Sequence, residues 1–261
     1  MSRPALLLDL DDTLVVEEPA AVAAFAATAR WAATQRDLDA DALGPAARRC
    51  ARELWYATTA HAWCERIGVS SWEGLWCRFE GEQPDVCRLR AWSPTYRREA
   101  WRRALAEQGV DDAALAQELG ERFARERRAR HETFADAVAA LDALAAEHEL
   151  ALVTNGAACL QREKLAASGL ADRFPTVVVS ADVGAAKPDA AIFRHALALL
   201  GCEPARATMV GDSLRKDVRG ALAAGLGAVW LNRSGRPDPD RPAGVREIAT
   251  LAELPAVLGA D

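Results

Sequence analysis

The chain has 261 residues, 51% of them hydrophobic, and a formal net charge of −6. That length and apolar content suit one large domain, or a core carrying a smaller second one, and exclude a largely disordered chain. The acidic balance argues against a nucleic-acid partner, because a phosphate backbone needs a basic surface to release its counterions. No apolar run reaches the roughly 18 residues of a spanning helix. Ala5 to Leu8 is too short, and too soon followed by acids, for a secretory leader. The expectation is a cytoplasmic protein with no membrane partner.

In chain order, residues 5 to 9 read as a short apolar strand that runs into LDLDDTL. From about residue 18 to 148 nearly every segment has helical periodicity: AAVAAFAATARWAATQR, AARRCARELWYATTAHAWCERIG, REAWRRALAEQ, DAALAQELGERFARERRARH and DAVAALDALAAEHE. Seven of the eight tryptophans lie there and read mainly as anchors of a helical core. The arginines between Arg97 and Arg130, interleaved with glutamates, read as a solvated, salt-bridged surface.

From Leu150 the texture changes to LALVTNG, QREKLAASGL, TVVVS, AAIFRHALALLG, ATMVGD, LRKDVRGALAAGL and AVWLN. Short strands, apolar on both faces and separated by helices, are the pattern of a parallel sheet in an α/β core. The strand at 5 to 9 must join that sheet, since a lone strand has nothing else to pair with. The expected fold is therefore α/β, a Rossmann-like parallel sheet core with an all-helical insertion: residues 1–14 plus 134–261 form the core and 15–133 the insertion, which the resemblance given below implies is a cap. The helix just before Leu150 is expected to pack on the core as its first crossover. GRPDPDRPAG reads as a surface loop and AELPAVLGA as a closing helix.

Six cysteines occur without any CxxC pair and read as buried free thiols. His61 and Cys64 have ligand-like spacing but no further partners, which makes a poor zinc site. Only Lys164, Lys187 and Lys216 are lysines among the 32 basic residues, so a lysine in this chain is an exception.

Ligands of an open parallel sheet bind beyond the carboxyl ends of its strands. Four such ends carry polar residues here. Asp9 and Asp11, two apart, face one side of an extended backbone, with Asp12 on the other. Thr154-Asn155-Gly156 reads either as a turn or as a hydroxyl and exposed N–H groups suited to phosphate oxygens. Lys187 precedes Pro188, and its choice over arginine suggests a need for a compact point charge. Asp212 and Asp217 read either as a helix cap with a favourable first-turn charge or as ligands of a hard cation. Two like charges about 4 Å apart cost roughly 4 kcal/mol at an effective dielectric of 20. A Mg²⁺ ion, which takes oxygen ligands and keeps several waters, would relieve several carboxylates at one strand edge.

Four motifs in this order, DLDDTL, VTNG, KPD and GDSLRKD, with a helical insertion after the first, resemble the haloacid dehalogenase-like (HAD) hydrolase superfamily. TNG, QREKLAASGL, VGAAKPDAAIF, MVGDS and VWLN are similar to its branch with a helical cap (C1-type), where N-acylneuraminate-9-phosphatases and phosphoglycolate phosphatases belong. The resemblance implies that Asp9 is the nucleophile that takes the phosphoryl group, and that Asp11 is the general acid and base. It implies that Thr154, Asn155 and Lys187 hold the phosphoryl oxygens. Mg²⁺ is then expected at Asp9, the carbonyl of Asp11 and Asp212, with Asp217 supporting it. The implied activity is a phosphatase of a small phosphorylated metabolite acting through an aspartyl-phosphate. Asp11 favours phosphoester chemistry, since a departing alkoxide needs a proton and a departing halide does not.

The same residues leave room for a β-phosphoglucomutase-like phosphotransferase, a 2-haloacid dehalogenase, a phosphoacceptor receiver or a ligand-binding pseudoenzyme. A receiver places its acceptor aspartate after a later strand and has no room for so long a cap. The sequence leaves monomer and homodimer both open.

Overall fold

The computed structural model describes residues 3–259. They divide into two units, one formed by the residues up to Val16 together with those from Glu132 onward, the other by Glu17–His131. The chain makes β1 (Ala5–Leu8) and then passes into the helical unit, which holds α1 (Glu18–Gln35), α2 (Ala40–Ala57), α3 (His61–Ile67), α4 (Ser71–Gly74), α5 (Pro84–Ala106) and α6 (Ala113–Arg128). Local chemistry sets the helix starts. Asp39 accepts from the Asp41 and Ala42 amides ahead of α2, and Asp112 accepts from the Leu115 amide ahead of α6.

Within this unit Phe25 meets the rings of Phe123 and Trp101 at centroid distances of 4.3 and 6.0 Å. Trp55, Trp63, Trp76 and Trp101 are buried, whereas Trp31, Trp72 and Trp92 are only half-buried, so the anchor role falls to four of the seven. The arginine surface has one exception. Arg127 is fully buried, paired with the buried Glu17, and its guanidinium lies 4.9 Å from the centre of the Trp76 ring.

The other unit continues with α7 (Ala137–Leu144), β2 (Glu149–Thr154), α8 (Ala158–Ala167), β3 (Thr176–Val179), α9 (Ser180–Val183), α10 (Ala190–Leu200), β4 (Ala207–Gly211), α11 (Arg219–Ala223), β5 (Gly227–Leu231), β6 (Arg246–Ile248) and α12 (Leu254–Leu258). Its six strands, among the described residues, form one sheet in the order β3-β2-β1-β4-β5-β6, with every pairing parallel. Both faces are covered, as a parallel sheet requires. On one, Leu6, Leu8, Leu152, Val210 and Leu231 pack with Leu141 and Leu144 of α7, Leu165 of α8 and Leu254 of α12. On the other, Leu7, Val153, Val178 and Met209 pack with Ile192, Phe193 and Ala196 of α10 and Ala221 of α11. Each fully buried leucine contributes about 1.5–3 kcal/mol.

β6 has no counterpart in the sequence reading. It pairs with β5 from Val229↔Arg246 to Leu231↔Ile248 and buries only Ile248, which is too short for a periodic signal. All six cysteines are free, and Cys50, Cys64 and Cys77 are buried while Cys87, Cys159 and Cys202 are half-buried.

Strand order fixes where a ligand can go. The chain steps outward from β1 through β2 to β3, then returns to the opposite side of β1 for β4, β5 and β6. The carboxyl ends of β1, β2 and β4 flank that change of direction, the usual place for a crevice in an open sheet.

Candidate active site

Asp9 follows β1 directly, and its amide donates to the Val210 carbonyl at 3.0 Å, so the ladder with β4 extends to it. The chain then turns tightly. The Leu14 and Val15 amides both reach the Leu10 carbonyl, and Asp12 takes the left-handed conformation (φ 55°), which a short polar side chain tolerates. Thr13 ties this turn to the end of β4. Its hydroxyl accepts from the Asp212 amide at 3.1 Å, and its carbonyl accepts from Arg233 at 2.8 Å. Arg233 is held in turn by Asp136 at 3.0 Å and lies over the Phe134 ring.

Lys187 is the hub. Its ammonium, in a residue only 3% exposed, lies 2.6 Å from Asp9 Oδ1, 2.7 Å from Asp217 Oδ1 and 2.8 Å from the Val153 carbonyl. Burial alone would lower its pKa, but the Asp217 and Asp9 carboxylates overcome this and hold it above the usual lysine range. Asn155 braces the Lys187 backbone from both sides. Its side-chain oxygen accepts from the Lys187 amide at 2.8 Å, and its NH₂ donates to the Lys187 carbonyl at 2.9 Å. Asn155 thus has a side-chain function in addition to the phosphoryl contact that the resemblance implies.

Asp217 is buried within a π-type turn, Leu214–Val218, and accepts from the Ser213 amide at 3.0 Å. Gly211 is what permits this approach, because a Cβ there would lie 2.4 Å from the Asp217 carboxyl. Ser213, not Asp212, caps the turn, accepting from the Lys216 amide. The capping alternative for Asp212 is therefore replaced, and its carboxyl joins the acids of Asp9 and Asp217. Its backbone carbonyl is fixed by Trp230 Nε1 at 2.8 Å.

The three acids offer oxygen atoms all within 4.8 Å of one another. Burial first, then the charges of Asp217 and Asp11, push the Asp9 carboxyl up to about 7 against the pull of Lys187. Asp212 is exposed as a residue, yet enough protein surrounds its carboxyl that desolvation, followed by Asp9, Asp217 and Asp12, pushes it up to about 8. One ammonium does not neutralise three carboxylates, and the donor set is all oxygen, so the residues fit a hard divalent cation such as Mg²⁺. The Asp11 carboxylate is not part of this group. Any contribution of Asp11 to a cation falls to its backbone carbonyl.

Asp11 is held elsewhere. Lys164 of α8 places its ammonium 3.0 and 3.1 Å from the two Asp11 oxygens, and Gln161 donates to Asp11 Oδ2 at 2.9 Å. Gln161 also donates to the Thr154 hydroxyl at 2.6 Å. Thr154, fully buried at the end of β2, keeps its own hydroxyl proton to donate. Sequence reasoning assigned nothing to Lys164 or Gln161. The scarcity of lysine that singled out Lys187 applied equally to Lys164.

The haloacid dehalogenase-like hydrolase family model matches residues 4–225. The chain belongs to that family. This HAD-like hydrolase is 42% identical, over 95% of its length and 96% of the relative's, to a phosphoserine phosphatase of Thermus thermophilus. It is 39% identical to the mouse N-acylneuraminate-9-phosphatase over 60% of this chain and 65% of the mouse protein. Among solved structures, it superposes on the 2-haloacid dehalogenase of Pseudomonas syringae pv. tomato with a TM-score of 0.62 and 29% identity, covering 98% of each chain. The HAD-like hydrolase is an enzyme with a Rossmann-like α/β core, and no helix among its described residues is long and apolar enough to cross a membrane.

Proposed function

We propose that this hydrolase is a Mg²⁺-dependent phosphatase of a small phosphorylated metabolite, acting through an aspartyl-phosphate on Asp9. The observation that carries the reading is the meeting of Asp9, Asp212 and Asp217, two of them (Asp9 and Asp217) paired with one buried lysine, with Asp11 close enough for its charge to raise the Asp9 carboxyl. A phosphate monoester is inert because its negative oxygens repel a nucleophile, and catalysis rests on positioning and charge neutralisation. Lys187 supplies positive charge, and Thr154 and the amide of Asn155 supply donors, for the phosphoryl oxygens. Asp9, Asp212, Asp217 and the Asp11 carbonyl would hold Mg²⁺, which when bound supplies positive charge to the phosphoryl oxygens and keeps Asp9 ionised.

The Asp9 carboxylate attacks phosphorus, the bond to the leaving oxygen breaks, and Asp11 gives that oxygen its proton. Water then attacks the phosphorylated Asp9, Asp11 takes the water proton, and phosphate leaves with the Asp9 carboxylate restored. The six free cysteines suit a reducing, cytoplasmic setting.

Phosphoserine leads the substrate panel because the relative of that name matches nearly the whole chain; N-acylneuraminate 9-phosphate, pyrimidine nucleoside monophosphates and p-nitrophenyl phosphate complete it. Release of phosphate with Mg²⁺, its loss in Asp9→Asn, and reversible loss with EDTA are the expected results. Full activity of Asp9→Asn sinks the assignment. Turnover of 2-chloropropionate without phosphate release selects the dehalogenase alternative that the Pseudomonas structure represents.

A further inference from the structure

α8 presents Gln161 and Lys164 three residues apart, hence on one face of the helix, and both are 1% exposed. A buried lysine is costly, because its ammonium loses its water, so its partner matters. Lys164 spends its charge on Asp11, with Nζ at 3.0 and 3.1 Å from the two carboxylate oxygens. Gln161 adds the donation to Asp11 Oδ2 at 2.9 Å, while the same nitrogen reaches the Thr154 hydroxyl at 2.6 Å and the Asn155 carbonyl at 3.0 Å. The acid that follows β1 and the hydroxyl of β2 are thus held by one amide.

The backbone makes room for this arrangement. Gly156 has φ 146°, and a Cβ there would lie 2.9 Å from the Gln161 side chain. The glycine of the TNG turn therefore serves Gln161 as well as the turn. Lys187, not Lys164, pairs with Asp9 and Asp217. Lys164 pairs with Asp11.

We infer that Lys164, together with Gln161, is a positioning residue for Asp11: the two hold its carboxyl group in the orientation from which, when protonated, it passes a proton to the leaving oxygen. The inference rests on the phosphatase reading above. It concerns one bond-breaking event. As the P–O bond to the leaving group breaks, that oxygen gains the electron pair and takes the proton of the protonated Asp11 carboxyl, which is left as a carboxylate paired with the Lys164 ammonium.

The dependence on leaving group tests this. An acidic phenol departs without a proton, whereas an alcohol needs one, so an ester of each reports the general acid separately from everything else. The measurement is kcat/KM, which covers steps up to phosphoryl transfer to Asp9, for p-nitrophenyl phosphate and for the best alkyl phosphate of the panel, in wild type, Lys164→Met, Lys164→Arg and Gln161→Met. Expected for Lys164→Met is a loss of about tenfold or more on the alkyl ester with at most about a threefold loss on the aryl ester. Lys164→Arg regains part of the alkyl activity, and Gln161→Met shifts the ratio in the same direction as Lys164→Met. The ratio of the two esters does not depend on how much of a variant is folded, and Gln161→Met carries the test if Lys164→Met does not fold. Equal losses on both esters, or no loss on either, overturn the inference and leave Lys164 as a structural ion pair. A wild-type protein that hydrolyses neither ester overturns the phosphatase reading itself.

Discussion

Protons and a divalent cation should compete for the acid cluster. The perturbation is a change from about pH 8.5 to about pH 6 in the presence of Mg²⁺. The Asp9 carboxyl is pushed up to about 7 and that of Asp212 to about 8 without a cation. A raised carboxyl favours its protonated form in the folded state. In the metal-free protein the cluster therefore stabilises the fold most below the ordinary carboxylate range, and that contribution is lost as pH rises through about 7 to 8.

Mg²⁺ reverses the sign, because it binds only the ionised form. At about pH 6 some ten Asp9 carboxyls in eleven hold a proton that the ion must displace, so Asp9 alone weakens binding about tenfold relative to about pH 8.5, or about 1.4 kcal/mol. Asp212 adds to this in the same direction. Titrating Mg²⁺ into the protein by calorimetry at both pH values, in two buffers of different ionisation enthalpy, gives affinity and proton release together. Affinity at least tenfold weaker at the lower pH, with more than half a proton released there, is the expected outcome. Equal affinities, or tighter binding at the lower pH, refute the reasoning that these acids share one cation.

Two further predictions concern the scaffold of the site. Gly211→Ala puts a methyl group 2.4 Å from the Asp217 carboxyl and so drives it off Lys187; activity should fall by about two orders of magnitude with Mg²⁺ affinity, and activity within about twofold of wild type would contradict the need for close approach. Asn155→Ala removes both bonds that brace the Lys187 backbone; thermal melts should show a loss of about 1–3 kcal/mol, and KM should rise more than kcat falls. A shift in neither quantity would mean that the Lys187 loop holds its place unaided.

Much of the site was legible because its residues are the polar ones at the ends of apolar strands. Asp9, Thr154 and Asp212 follow runs whose pattern fixes the strand, and Lys187 stood out in a chain that otherwise uses arginine. What escaped depends on distances that only folding creates. Lys164 and Gln161 lie in QREKLAASGL, which reads simply as a helix between strands, and nothing local says that they reach Asp11, more than 140 residues away in sequence. Ser213 displaced Asp212 as the cap because a one-residue shift in where a turn begins has almost no sequence signal. β6 was too short to register, and the burial of Arg127 among surface arginines depends on Glu17 lying across from it, a tertiary fact.

The way the insertion is stitched shut has an evolutionary consequence. In the sheet-bearing unit, Val15 bridges to Thr133, the Val16 amide donates to the Glu132 carbonyl at 2.8 Å and the Phe134 amide to the Leu14 carbonyl at 3.0 Å. In the helical unit, the first residue, Glu17, is paired with Arg127 close to its last. Each unit thus closes its own ends, and the cost of closing a loop grows only with the logarithm of its length. To the sheet, the long detour is nearly equivalent to a short hairpin. Such a seam lets one segment be lengthened, recast or exchanged by recombination while the machinery beside it stays fixed, so the two parts of the gene are free to drift at different rates.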